Sequence, residues 1–237
     1  MSETQGQAAS ATAASARDKA ASDPGRMVHL AGLVASRLCH DLISPLGAIG
    51  NGVELMAMPG TSAHGPELEL VAESVGNAQA RIRLFRVAFG HAPADQRMGA
   101  PEVAALLDDM SRGGRLTFDW QAEGDFPRRE IKMLLLAALC LESALPRGGR
   151  VLICRARNRS GGREGWRLVA EAPRARPEPA LWALLGPPPE GEPEIAPLPF
   201  SRVSAAQVHF ALLPLVAAKL NRPIHWEVDE TGAEISF

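Results

Sequence analysis

The run Ser36-Arg37-Leu38-Cys39-His40-Asp41-Leu42-Ile43-Ser44-Pro45-Leu46 sets one histidine beside an acid, with a proline five residues on. An imidazole offers a nucleophilic nitrogen on one side and a hydrogen-bond donor on the other, and in its ordinary state it is mostly neutral near pH 7. Such a ring can take a phosphoryl group from an acyl phosphate and give it back, provided it faces outward. At about 100° per residue, Val34, Leu38, Leu42, Pro45, Ile49, Val53 and Met56 form one apolar stripe. His40 falls close to the opposite side, among Ser36, Ser44, Gly47, Asn51 and Glu54, with Ile43 the only large apolar neighbour. A lone helical histidine is usually a satisfied core group or an inert surface residue, and here the geometry excludes the core. Asp41 can orient the ring or favour its charged form, with an ordinary surface acid as the alternative. Pro45 lacks the N–H that would close the helical bond to the Asp41 carbonyl, so the helix bends a turn beyond the histidine. Ser44, one turn from His40, reads as a docking contact. Gly47, Gly50 and Gly52 each cost about 1 kcal/mol of helix stability relative to Ala. That fits a face approached closely by another helix, loose packing being the other reading.

The elements around this run follow from periodicity. Residues 1–26 are rich in Ala, Ser, Thr and Gln, have no large aliphatic residue after Met1, and read as a disordered tail. A first helix is expected from Val28 to Met58, ended by Pro59-Gly60-Thr61-Ser62 and linked through Ala63-His64-Gly65-Pro66 to a second from Glu67 to Gly90. In the second, Val71, Val75, Ala78, Ile82, Phe85 and Phe89 repeat as a heptad-like seam. Two antiparallel helices are half of a four-helix bundle, and each seam residue left in water forgoes roughly 1.5–3 kcal/mol. A homodimer is therefore expected. Beyond Gly90 the pattern gives a helix at Ala100–Asp109, a strand at Arg115–Trp120 and a very apolar helix at Pro127–Leu145. Strands follow at Arg150–Arg157 and Trp166–Glu171, joined around Gly161-Gly162. The segment Pro173–Pro199 holds nine prolines and reads as a linker-like excursion with a short helix at Ala180–Leu185. Ser201–Leu220 reads as helical with a kink at Pro214, and strands Ile224–Val228 and Ala233–Phe237 close the chain. The fold class is α+β: an N-terminal helical hairpin over residues 27–91, then an α/β sandwich over 100–237.

Composition narrows the functions. With 237 residues and 46% hydrophobic content the chain can bury proper cores. A net charge of −2 gives no basic field for nucleic acid. The longest apolar run, Met133–Leu141, is nine residues, too short to span a bilayer. The cysteines Cys39, Cys140 and Cys154 lie far apart in apolar surroundings, without metal-ligand spacing, and their odd number argues against a disulfide framework. A reducing cytoplasm fits this usage. His29, His64, His91, His209 and His225 have no partners at catalytic or ligand spacing. Arg37, Arg81, Arg83 and Arg86 can ring the bundle and meet an acidic partner, while Arg155, Arg157 and Arg159 alternate along one strand as either a solvated or a docking face.

His40-Asp41-Leu42-Ile43-Ser44-Pro45-Leu46 resembles the H-box of sensor histidine kinases. Together with Asn51-Gly52-Val53-Glu54-Leu55, Phe85-Arg86-Val87-Ala88-Phe89-Gly90 and Ala144-Leu145-Pro146-Arg147-Gly148-Gly149, it resembles the ChpT-type histidine phosphotransferases of alphaproteobacteria, from about residue 27 to the end. The kinase pattern breaks where ATP would bind. Leu136 and Cys140 stand where kinases carry Mg²⁺-binding asparagines, the Asp-x-Gly-x-Gly motif is absent, and Ser204-Ala205-Ala206-Gln207-Val208 lacks a glycine for phosphate. The resemblance implies a hairpin that dimerises, followed by a degenerate kinase-ATPase-like domain. It implies a phosphorelay intermediate without ATP-dependent kinase activity, in which His40 is the phosphoacceptor and Asp41 assists. Arg37, Ser44, Pro45, Gly47, Asn51 and Arg86 would face the partner. That partner would be the receiver domain of a hybrid cell-cycle kinase on one side and of response regulators on the other. The receiver would supply Mg²⁺; no cofactor, ATP, nucleic acid or membrane is expected. A non-catalytic receiver-binding scaffold and an ATP-dependent histidine kinase stay open as alternatives.

Overall fold

A computed structural model of the chain describes residues 24–58, 65–157, 164–189 and 191–237. Helix α1 (Pro24–Met56) and helix α2 (Pro66–Ala88) form the expected hairpin. α1 starts at Pro24, four residues earlier than periodicity suggests, so 24–26 are helical and not tail. Its early start has a reason: Leu30 packs with Val203, Val208 and Ala211, and the Arg26 guanidinium lies 4.1 Å from the Phe200 ring centroid. The reading of residues 1–23, of the connection at 59–64 including His64, and of Gly161-Gly162 and Arg159 lies outside the described residues.

The stripe on α1 is half-buried at Val34, Leu38, Leu42, Pro45, Ile49 and Met56, but Val53 is exposed. Val53 sits roughly a quarter turn from Val34 around the axis, whereas Gly52 comes about five whole turns after it. Gly52 is accordingly the buried residue, and a Cβ there would meet Val71 Cγ2 at 2.4 Å. Only glycine lets the helices approach so closely at that crossing. On α2, Ala78 and Phe85 are buried, Val71, Val75 and Phe89 half-buried, and Ile82 exposed.

Behind the hairpin, helix α3 (Ala100–Gly113) runs four residues past its expected end. Strand β1 (Arg97–Gly99) and strand β3 (Asp125–Pro127) pair antiparallel around it, an element periodicity does not reveal. The main sheet joins β2 (Leu116–Gln121), β4 (Gly149–Arg157), β5 (Glu164–Glu171), β7 (Gly232–Ser236) and β6 (His225–Val228), in that spatial order. β2 and β4 are parallel, linked by helix α4 (Arg128–Ala144); the other pairs are antiparallel. A parallel pair needs such a crossover, and α4 suits it because it is apolar nearly all round. Ile131, Met133–Leu136 and Leu141 are fully buried against Val151, Ile153, Trp166, Leu168 and Ile235. The proline-rich segment holds the short helix α5 (Pro179–Trp182), and helix α6 (Val208–Leu220) follows two single 3₁₀ turns where a longer helix is expected.

Hairpin and sheet region share one core. Leu84, Phe85, Val87 and Ala88 of α2 belong to the cluster built by α4 and the sheet. The carbonyls that end α2 are met by cations of α4: Arg128 Nη2 donates to Arg86 at 3.0 Å, and Lys132 Nζ to Gly90 at 2.7 Å. Burial, with Lys219 and Arg128 nearby, pulls the Lys132 pKa down. Arg83 reaches Asp109 through two nitrogens at 3.0 and 2.6 Å. Burial opposes ionisation of Asp109, but hydrogen bonds from Arg83 and Arg112 outweigh it and hold the carboxyl below its ordinary pKa. Arg155 is not a bare solvated side chain: it contacts Glu130 and Glu164 and lies over the Trp166 ring.

Candidate functional site

His40 points outward as the helical spacing requires, with 86% of its side chain exposed. Ser36, Ser44, Gly47, Asn51 and Glu54 around it are exposed, and Ile43 is joined by Leu46 and Cys39 on the open side. The expectations of a single apolar neighbour and of an apolar setting for Cys39 are therefore corrected.

Asp41 turns the other way, into the hairpin, where 9% of its side chain remains exposed. One carboxylate oxygen lies 3.1 Å from His40 Nδ1. The other accepts from Arg37 Nε at 2.7 Å and has Arg81 Nη1 at 3.5 Å. Arg37 and Asp41 stand four residues apart on one helix face, a pairing the sequence makes available. A buried carboxylate held by two guanidiniums is an acceptor, so Nδ1 carries the proton and Nε2 presents its lone pair to solvent.

Below this group a cleft of about 770 Å³ opens between the hairpin and the sheet region. His40, Asp41, Arg37, Ser44 and Pro45 line it on one side; Asp109, Leu139, Ser143 and His209 line it on the other. Gly47, Asn51 and Arg86 lie outside its lining. The sequence placed Arg81 on the bundle but not on Asp41, which it reaches only once the hairpin closes. Periodicity also missed His209, which is buried with Nε2 3.0 Å from Ser143 Oγ, a hydroxyl that donates to the Leu139 carbonyl. Burial and the nearby Arg37 charge push the His209 pKa down to about 3. Three of the four bundle arginines serve the protein internally: Arg37 on Asp41 and Ala206, Arg81 on Asp41, and Arg83 on Asp109. Arg86 keeps its side chain exposed.

Leu136 and Cys140 are wholly buried in the apolar core, and burial pushes the Cys140 thiol well above its ordinary pKa. Neither fits a hard cation, which asks for oxygen ligands at an open position. No helix of the described residues is long and apolar enough to cross a membrane.

The helical hairpin thus bears one outward histidine on a carboxylate support and is backed by an α+β body. The chain belongs to the family described as histidine phosphotransferase C-terminal domain, whose model matches residues 100–232. The match covers the body behind the hairpin; His40 lies outside it. Protein phosphotransferase ChpT of Brucella abortus is 36% identical over 126 residues, 52% of this chain and 59% of that protein. The chain thus spans less than two thirds of that curated relative's length in the match. A bacterial phosphotransferase solved at 1.7 Å superposes with a TM-score of 0.66 at 26% identity, over 88% of this chain and 95% of that one. Histidine kinase AdeS of Acinetobacter baumannii gives a TM-score of 0.42 at 11% identity over 83% of this chain and 95% of that one, too loose to argue from.

Proposed function

We propose that the protein relays a phosphoryl group between receiver-domain aspartates through His40. The observation that carries this is the exposed ring whose Nδ1 rests on the buried Asp41 carboxylate, leaving Nε2 open. The Nε2 lone pair attacks the phosphorus of an aspartyl phosphate. The P–N bond forms, the P–O bond to the carboxyl breaks, and the carboxylate leaves with the electron pair. Nε2 has no proton to lose, and the positive charge that develops on the ring is stabilised through Nδ1–H by Asp41. A second receiver's carboxylate reverses the step. Ser44, Pro45, Gly47 and Asn51, on or beside the same exposed face, together with Arg86, form the surface a receiver meets. The donor is the receiver of a hybrid kinase, the acceptors are response regulators, and the setting is the cytoplasm. The receiver brings the divalent cation its acyl phosphate requires, and ATP is not a substrate of this chain.

A second copy covers the hairpin. The exposed large hydrophobics among the described residues, from Met27 to Ile82, all lie in this part of the chain. Ile43, Leu46 and Val53 on α1, with Gly50 and Ala57 between and after them, recur at heptad spacing, as do Leu68, Val75 and Ile82 on α2.

The test is label transfer from a phosphorylated receiver. The wild-type protein takes up acid-labile label, His40→Ala takes none, and incubation with ATP and Mg²⁺ labels neither. Label that survives His40→Ala refutes the assignment.

A further inference from the structure

We propose that Arg37 is a positioning residue through which the body behind the hairpin sets the His40 ring; this rests on the phosphotransfer reading above. Its guanidinium spans two elements far apart in sequence. Nε donates to Asp41 Oδ2 at 2.7 Å, and Nη1 donates to the Ala206 carbonyl at 2.9 Å. The other oxygen of Asp41 lies 3.1 Å from His40 Nδ1. The ring is thereby tied, through one carboxylate and one guanidinium, to a backbone oxygen of the sheet region.

That oxygen is itself held. Ala206 lies in the 3₁₀ turn Ala205–Gln207. The Gln207 side-chain oxygen accepts from the Ser204 backbone N–H at 3.1 Å and from its hydroxyl at 2.9 Å. The Gln207 amide nitrogen donates to Glu178 of the proline-rich segment at 3.2 Å. Two turns before Arg37, Leu30 is fixed against Val203, Val208 and Ala211, so α1 cannot slide past this turn without opening a buried cluster. The body and the proline-rich segment thereby acquire a task. They keep Asp41 in the one orientation that holds the proton on Nδ1.

The chemistry requires arginine. A guanidinium presents donors in a rigid fork and can bond two acceptors in different directions; an ammonium is a single point charge. Only 19% of the Arg37 side chain is exposed, so its cation serves the interior more than a docking partner.

The experiment uses full-length protein labelled with ¹⁵N-histidine. The variants are Arg37→Gln, Arg37→Lys and Gln207→Ala, the last of which leaves the ring, Asp41 and Arg37 intact. The readouts are the His40 nitrogen shifts, which report the tautomer, and the rate of His40 phosphorylation by phosphoramidate, which needs no receiver. The wild-type ring shows a protonated Nδ1 and a bare Nε2. Arg37→Gln moves the ring toward the Nε2–H tautomer and slows phosphorylation on the order of tenfold to a hundredfold, as expected when a reacting group is mispositioned. Arg37→Lys and Gln207→Ala fall between. Variants that lower the melting temperature but leave shifts and rate unchanged overturn the proposal. If Arg37→Gln does not fold, the other two decide it by the same readouts. A wild-type protein that shows the tautomer effect yet takes no label from phosphorylated receivers refutes the relay reading while the positioning role stands.

Discussion

The hairpin and the body behind it treat apolar surface in opposite ways. Residues Met133 to Cys140 of α4 are all buried, whereas in the hairpin Ile43 is 68% exposed and Leu46, Val53, Leu68 and Ile82 are exposed as well. The body closes its core with the inner face of α2, while the outer face of the hairpin stays open. Leu136 and Cys140 are spent in the body on packing, while the outward His40 lies on the hairpin, where the exposed large hydrophobics collect. One region is packed through; the other keeps its apolar surface open.

The largest expected effect attacks the incomplete side. Ile43→Asp with Leu46→Asp places charges in the proposed interface of both copies, removing four apolar side chains at roughly 1.5 kcal/mol each or more. Sedimentation should show a dimer becoming a monomer, with a dissociation constant raised at least a thousandfold and the far-ultraviolet spectrum kept. A parent protein that is already monomeric at micromolar concentration would break the comparison at its root. Next comes the complete side. Leu136→Asn puts a polar residue in a core position, where it leaves a cavity and an unpaired amide. It should cost about 3–5 kcal/mol in urea unfolding and confer no ATP labelling.

How much of this could be read from the chain depends on how local each feature is. The direction of His40 follows from helical spacing over a dozen residues, and the α4 core follows from one continuous apolar run. The small sheet was invisible because β1 and β3 are three residues each and pair Arg97 with Pro127, with no alternation to betray them. The Val53 misreading came from extending a stripe past the point where rotation had carried it off the interface. Arg37 and Asp41 are a local pair, but their tie to Ala206 spans 169 residues, and only the folded chain states it. The dependence of the site on the body was therefore the part the sequence could not show.

A smaller effect tests the joint between the two regions. His209 is neutral when folded, with a pKa near 3 in place of 6.5. Between those values the unfolded chain binds a proton that the folded one refuses, so stability rises with pH across the window and is lost as pH falls below about 6.5. From pH 7 to pH 5 the loss attributable to this residue should be about 2 kcal/mol, from roughly 1.4 kcal/mol per pH unit. Urea unfolding of His209→Gln against the parent isolates it. An unchanged pH slope would mean that water reaches the ring and that the cleft floor is not sealed.

The smallest effect discriminates most finely, because it uses two glycines on one helix. A Cβ at Gly52 would collide with Val71, so Gly52→Ala should destabilise the protein whatever its oligomeric state. A Cβ at Gly50 meets nothing within 4 Å in the protomer. There alanine should add about 0.5–1 kcal/mol by helix propensity alone. That gain should appear in the Ile43→Asp/Leu46→Asp background, where the chain stands by itself. In the parent it should vanish or reverse if a second helix rests against Gly50, since the added methyl then occupies the space that close approach needs. An equal gain in both backgrounds would show that nothing packs on Gly50, and would move the dimer contact away from the heptad line through Ile43, Leu46 and Val53.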